Sequence, residues 1–134
     1  MAEFISYGAS VPTNFQDSIS RNVTTTPITL AEFGLDIPTT NTDVVLSGTV
    51  GLRSALGAPD VLLRVFRDSA VIGSTISSPF ALLEFRNIPL SFVDENVTTG
   101  FHIYRLTAQL TTSSITTNAT VVGPVSIIGK GIQK

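Results

Sequence analysis

His102 is the only histidine in this chain of 134 residues, so a Ser-His-Asp relay or an imidazole metal site would have to be built around it. It alternates with Phe101 and Ile103 as a strand residue does, a setting in which a lone histidine is a surface group or a hydrogen-bonded polar one. The 10 carboxylates are scattered, and the adjacent pair Asp94 and Glu95 has the composition of a turn, where acids hydrogen-bond local backbone. Glycoside hydrolysis instead needs two carboxyls held roughly 5 to 10 Å apart across a cleft. Cysteine is absent, which removes disulfides, thiolate metal sites and a thiol nucleophile. Gly48-Thr49-Val50-Gly51 and Gly129-Lys130-Gly131 match neither phosphate-loop pattern and read as bulges or close backbone approaches. Asn22-Val23-Thr24, Asn96-Val97-Thr98 and Asn118-Ala119-Thr120 fit the N-glycosylation pattern, which a Thr-rich chain produces by chance. Arg64, Arg67, Arg86 and Arg105 fall on strand-like segments; they either form a cationic patch for a carboxylate or snorkel over a sheet and pair with acids, and the second reading is preferred. No catalytic residue, metal ligand or cofactor-binding residue is assigned, and the chain is read as a non-enzyme.

The elements that position these residues follow from composition and alternation. Apolar residues make up 43% of the chain and charged residues 13%, against about 25% charged in ordinary domains. Mean hydropathy is +0.36 and net charge −2, the opposite of a disordered composition. The length suits one domain with its own core. A pI of 5.1 and the lack of any Lys/Arg run argue against nucleic acid and remove electrostatic support for a membrane-surface role. No apolar run approaches the roughly 20 residues of a spanning helix. Met1-Ala2-Glu3-Phe4 lacks the regions of a secretory signal, so export by Sec is not expected.

Helical periodicity is nowhere sustained, whereas Val, Ile, Thr and Phe recur in short runs broken by Pro, Gly, Asn and Asp. Val44, Leu46, Gly48, Val50 and Leu52 alternate with Val45, Ser47, Thr49, Gly51 and Arg53, predicting a strand over 44–53. A turn follows at 56–60, then a strand at 61–67 with a partly apolar second face in Leu62 and Phe66. Asp68-Ser69-Ala70 reads as a hairpin connection into 71–73. Residues 80–86 and 88–93 are two strands or one bent one, since Pro89 cannot donate within a central ladder. The longest strand is expected at 99–112, with Tyr104, Leu106, Ala108 and Leu110 on one face. The last, 119–128, carries Pro124 and is expected at an edge or with a bulge. The fold class is therefore all-β, a single jelly-roll or β-sandwich domain of about eight antiparallel strands.

Residues 1–26 lack a continuous strand pattern after Tyr7, and Phe4, Ile5, Tyr7, Val11, Phe15 and Ile19 stand isolated among Ser, Thr and Asn. They are expected to form an extended N-terminal connector arm, leaving 27–134 as the β-domain. With Leu62 and Phe66, these six make the apolar surface expected at a contact between subunits.

Phe101-His102-Ile103-Tyr104-Arg105-Leu106 after Thr99-Gly100 resembles the TGxYxxxL strand of small bacterial C1q/TNF-like jelly rolls, including heads of spore-surface collagen-like proteins. The whole layout, with Phe4-Ile5-Ser6-Tyr7-Gly8-Ala9-Ser10-Val11-Pro12 leading into a Thr-rich β-domain, resembles the pilin subunits of endospore appendages of Bacillus and its relatives. That resemblance implies a jelly-roll body joined to its neighbours by sheet augmentation and an N-terminal connector, in a filament on the spore surface. The better-known types cross-link through connector cysteines; this chain has none, which implies a non-covalent variety such as the F-type appendages. The implied partners are copies of the chain itself and other spore-surface or anchor proteins, without nucleic acid or membrane. The alternative is a trimeric C1q/TNF-like head or a phage decoration module that binds a carbohydrate or receptor.

Overall fold

The structure, a computed structural model, describes residues 2–56, 59–77, 84–111 and 118–134. The expected turn at 56–60 and strand at 80–86 lie partly outside these residues, as does the end of the strand expected at 99–112. In chain order the strands are β1 (Glu3–Thr13), β2 (Arg21–Val23), β3 (Ile28–Ile37), β4 (Thr42–Leu56), β5 (Val61–Arg67), β6 (Ala70–Ser77), β7 (Phe85–Val97), β8 (Gly100–Leu110) and β9 (Asn118–Gln133). They form two antiparallel sheets, one ordered β1-β9-β4-β7 with β2 also on β9, the other β3-β8-β5-β6. β1 pairs with residues 125–133 of β9 and β2 with residues 119–121, so the two run in one line along the same edge. Taken as a single interrupted strand they reduce the fold to eight strands in two four-stranded sheets, the jelly-roll arrangement.

Alternation builds the core between the sheets. Val61, Leu63 and Val65 of β5 and Tyr104, Leu106 and Ala108 of β8 meet Val44, Leu46, Val50 and Leu52 of β4, and all are buried. Each such large side chain contributes about 1.5–3 kcal/mol on leaving water. Phe33 of β3 stacks on Tyr104 with ring centroids 5.4 Å apart. Gly8 and Gly129 make room for it, since a Cβ there would stand 2.5 and 2.7 Å from the Phe33 ring.

The N-terminal segment corrects the expected arm. Residues 3–13 and 21–23 belong to the first sheet, hydrogen-bonded to β9 of their own chain. The pattern hides this because the one fully buried position of β1 is Gly8, while Phe4, Tyr7 and Val11 point outward. A boundary at residue 26 therefore cuts β1 and β2 away from the sheet they belong to. Pro124 also differs from one of its two expected positions: β9 is central, between β1 and β4. The bulge is present, with the β4–β9 register shifting between Val50 and Leu52, where Gly51 lies against the Gly123 carbonyl and Gly123 adopts φ +94°. Residues 88–93 lie in one strand, β7, at the sheet edge that Pro89 requires. β3 adds to the strands expected, and β9, at 16 residues, is longer than β8 at 11.

Candidate functional site

His102 sits at one end of the sandwich with 8% of its surface exposed. Its Nδ1 is 2.8 Å from Asp68 Oδ2 and its Nε2 is 2.8 Å from the Thr98 carbonyl oxygen. Asp68 caps the β5–β6 turn at φ 53° and is itself fastened to β8: its N–H donates to the Ile103 carbonyl at 2.7 Å, and its Oδ1 accepts the Ile103 N–H at 3.0 Å. Burial disfavours charge on His102, but the hydrogen bonds to Asp68 and Thr98 outweigh it and raise the pKa. The bond from His102 and the Ile103 N–H hold Asp68 below the usual carboxylate range. Nε2 makes its short bond to the Thr98 carbonyl, with the Thr98 hydroxyl farther off at 3.4 Å, so His102 ties the β5–β6 turn to the β7–β8 turn.

Beside it, Arg67 Nη1 donates to both oxygens of Asp94 at 2.6 and 2.7 Å, and Tyr104 Oη donates to Asp94 Oδ2 at 2.8 Å. Burial, then the adjacent Asp94, pushes the Tyr104 hydroxyl far above its ordinary pKa, so it acts only as a donor. The four arginines do not gather into a patch. Arg67 binds Asp94, Arg86 pairs with Glu84 at 3.1 Å and Arg105 with Glu32 at 3.1 Å. Arg64 binds Gln109 and lies over the Phe66 ring, 5.8 Å from its centroid.

The residues read as contact surface separate into two groups. Phe4, Tyr7, Val11 and Phe15 are exposed, and Phe4, Tyr7 and Val11 lie along the β1 edge. Ile5 is half-buried and Ile19 packs against the core, while Leu62 and Phe66 lie half-buried on the other sheet. The β1 edge continues into a partly apolar face, interrupted by the exposed Lys130, that the sequence reading did not single out. Tyr7 pairs with Lys130, Lys130 with Val45 and Val45 with Val93, so these four side chains form one row across the outer face of the first sheet. Exposure within it is 58% for Tyr7, 40% for Val45 and 54% for Val93. Phe4 and Ile132 begin a parallel row, and Ala9 and Ile128 another. The signal lay in the alternation itself, which turns Val45 outward once Val44 and Leu46 are assigned to the core.

The fold and this surface define a jelly-roll β-sandwich with a partly apolar outer sheet face and, among the described residues, β1 at the end of that sheet. No family model and no curated protein matches the chain. Among solved structures, it is similar to a chain of the T13 IBDV viral particle, with TM-score 0.53 and 8% identity over 98% of this chain and 35% of that one. The match thus spans about a third of the viral chain's length, and it is a likeness of fold. Weaker likenesses are to dimeric latent PorU from Porphyromonas gingivalis (TM-score 0.44, 10% identity, 97% of this chain and 13% of that one) and to the carbohydrate-binding module CBM36 in complex with calcium and xylotriose (TM-score 0.39, 14% identity, 88% and 98%).

Proposed function

We propose that this chain is a structural subunit that associates non-covalently with copies of itself into a filament, using the β1 edge and the outer face of the first sheet. The observation that carries the reading is the continuity of the Tyr7–Lys130–Val45–Val93 row with the β1 edge, which pairs with no further strand among the described residues. Proteins that remain monomeric protect such edges with charge, bulges or covering loops, and they rarely leave large apolar patches in water. β1 carries two bulges, between Phe4 and Ser6 and between Ser10 and Thr13, yet still presents Phe4, Tyr7 and Val11 to solvent. Addition of a neighbour's strand to this edge satisfies its backbone groups and covers the row in one step. If the two surfaces that meet are different, the contact repeats without closing and gives a fibre.

Magnitudes favour engagement of the whole row. Each large apolar side chain contributes about 1.5–3 kcal/mol when covered, while association costs about 4–15 kcal/mol in lost freedom. One aromatic is insufficient; Phe4, Tyr7, Val45 and Val93 are 57%, 58%, 40% and 54% exposed, so each adds about half its full value and strand pairing must supply the rest. The sequence resemblance to endospore appendage subunits is what supports a spore-surface filament as the specific form of this proposal, with β1 in its own sheet rather than as a free connector.

Tyr7→Lys combined with Val93→Lys tests it. Both side chains are exposed, so the variant should keep the far-UV circular dichroism of the wild type while sedimenting as monomer under conditions where the wild type forms large species. A variant that assembles as the wild type does overturns the proposed surface. A wild type that forms a closed trimer overturns the filament and favours the receptor- or carbohydrate-binding head.

A further inference from the structure

His102 has two close partners that can only accept, Asp68 Oδ2 and the Thr98 carbonyl oxygen, and a longer one, the Thr98 hydroxyl 3.4 Å from Nε2, that can take either role. An ionised carboxylate has no proton to donate and neither has a backbone carbonyl, so Nδ1 and Nε2 must each carry a hydrogen to make both 2.8 Å bonds. Only the imidazolium does so. A neutral ring that keeps its proton on Nδ1 loses the bond to the Thr98 carbonyl and can only accept the longer one from the Thr98 hydroxyl; one that keeps it on Nε2 turns a lone pair toward Asp68. We infer that His102 is a proton-operated latch: charged, it ties the Asp68 turn between β5 and β6 to the Thr98 turn between β7 and β8, and on losing its proton to solvent it lets go of one of them.

The surroundings fit this role on every side. Asp68, from the β5–β6 turn, favours the charge, and Arg67, from β5, opposes it. Arg67 is itself occupied by Asp94 of β7, which also accepts from Tyr104 of β8. β3 sets only the uncharged Leu35 opposite His102. The end of β7, just before this connection, has a second fastening that needs no histidine: the Asn96 N–H donates to Asp43 at 2.9 Å, and Lys134 Nζ donates to Asn96 Oδ1 at 2.8 Å. Proton loss therefore loosens the Thr98 side of this connection or the Asp68 turn while the Asn96 side stays held.

The sign follows from linkage. A histidine whose pKa is raised by folding stabilises fully below its unfolded value, about 6.5, and the stabilisation is lost as pH rises through the higher folded value. Asp68, lowered by folding, stabilises above its unfolded value and loses this as pH falls through the folded one. The latch is thus closed from mildly acidic pH up to the folded titration point of His102.

Because the chain has one histidine, its imidazole gives a single set of proton resonances to follow by NMR. The wild type should titrate above the ordinary histidine value, and Asp68→Asn should bring the midpoint down. Thermal melting between pH 6 and pH 8.5 should fall in the wild type by a few degrees more than in His102→Asn. A wild-type midpoint at or below the ordinary value overturns the latch, as does the same pH slope in wild type and variant. Should His102→Asn fail to fold, the wild-type titration and the Asp68→Asn midpoint decide the matter alone.

Discussion

At the scale of single residues, the most costly group to disturb is Asp94. It is 6% exposed, accepts both hydrogen bonds from Arg67 and accepts a third from the fully buried Tyr104 hydroxyl. Breaking a buried pair by removing one partner typically costs 3–5 kcal/mol, because the remaining charge is left desolvated. The Arg67 side chain keeps 27% exposure and can reach water, which reduces that cost. Asp94→Ala should therefore lower unfolding stability by about 2–4 kcal/mol in a urea titration, while Tyr104→Phe, which removes one hydrogen bond and leaves the Arg67 pair, should cost about 1 kcal/mol. Equal costs for the two would show that the ion pair adds nothing. The partners themselves were beyond the reach of the sequence. Asp94 was read as a turn acid, yet it lies within β7 with its side chain turned inward, and Asp68 lies 34 positions from His102. Such pairs are set by which strands become neighbours, and alternation along one strand carries no information about that.

At the scale of elements, β1 is where local pattern and tertiary structure part. Its inward side offers Gly8 to the sandwich, because Phe33 already fills the space beneath; a strand that contributes volume by omitting it leaves no apolar alternation to read. β5 was legible over its whole length, 61–67, because Val61, Leu63 and Val65 are all buried. Pro124 pointed to a bulge but not to a central strand, since a bulge frees a central β9 from needing the missing N–H. Two outcomes are expected from the place of β1 in its own sheet. Gly8→Leu should destabilise the fold by about 1–3 kcal/mol, as overpacking does, because its Cβ meets both the Phe33 ring and the Gly34 carbonyl. Deleting residues 1–15 should remove an edge strand, bare the side of β9 and cause a clear loss of the cooperative melt. A truncated protein with the wild-type melting curve would mean that β1 is dispensable in its own domain and free to act as a separate connector.

At the scale of the whole molecule, the jelly roll closes its core between two sheets and leaves its edges to be managed. Sequence composition made the closed core legible, because alternating Val, Leu and Ile sort into two faces wherever the chain is extended. What the surfaces do to one another was not legible, because an outward Val45 or Val93 is unremarkable alone and becomes a patch only when four strands set it beside Tyr7. The central claim is that this patch and its edge hold copies of the chain together without covalent bonds. Negative-stain electron microscopy of the purified protein at rising concentration, with and without a thiol reductant, tests it most directly. The account predicts filaments of uniform width in both conditions, since there is no cysteine to reduce; dispersed single particles the size of one 14.2 kDa chain at every concentration would contradict it.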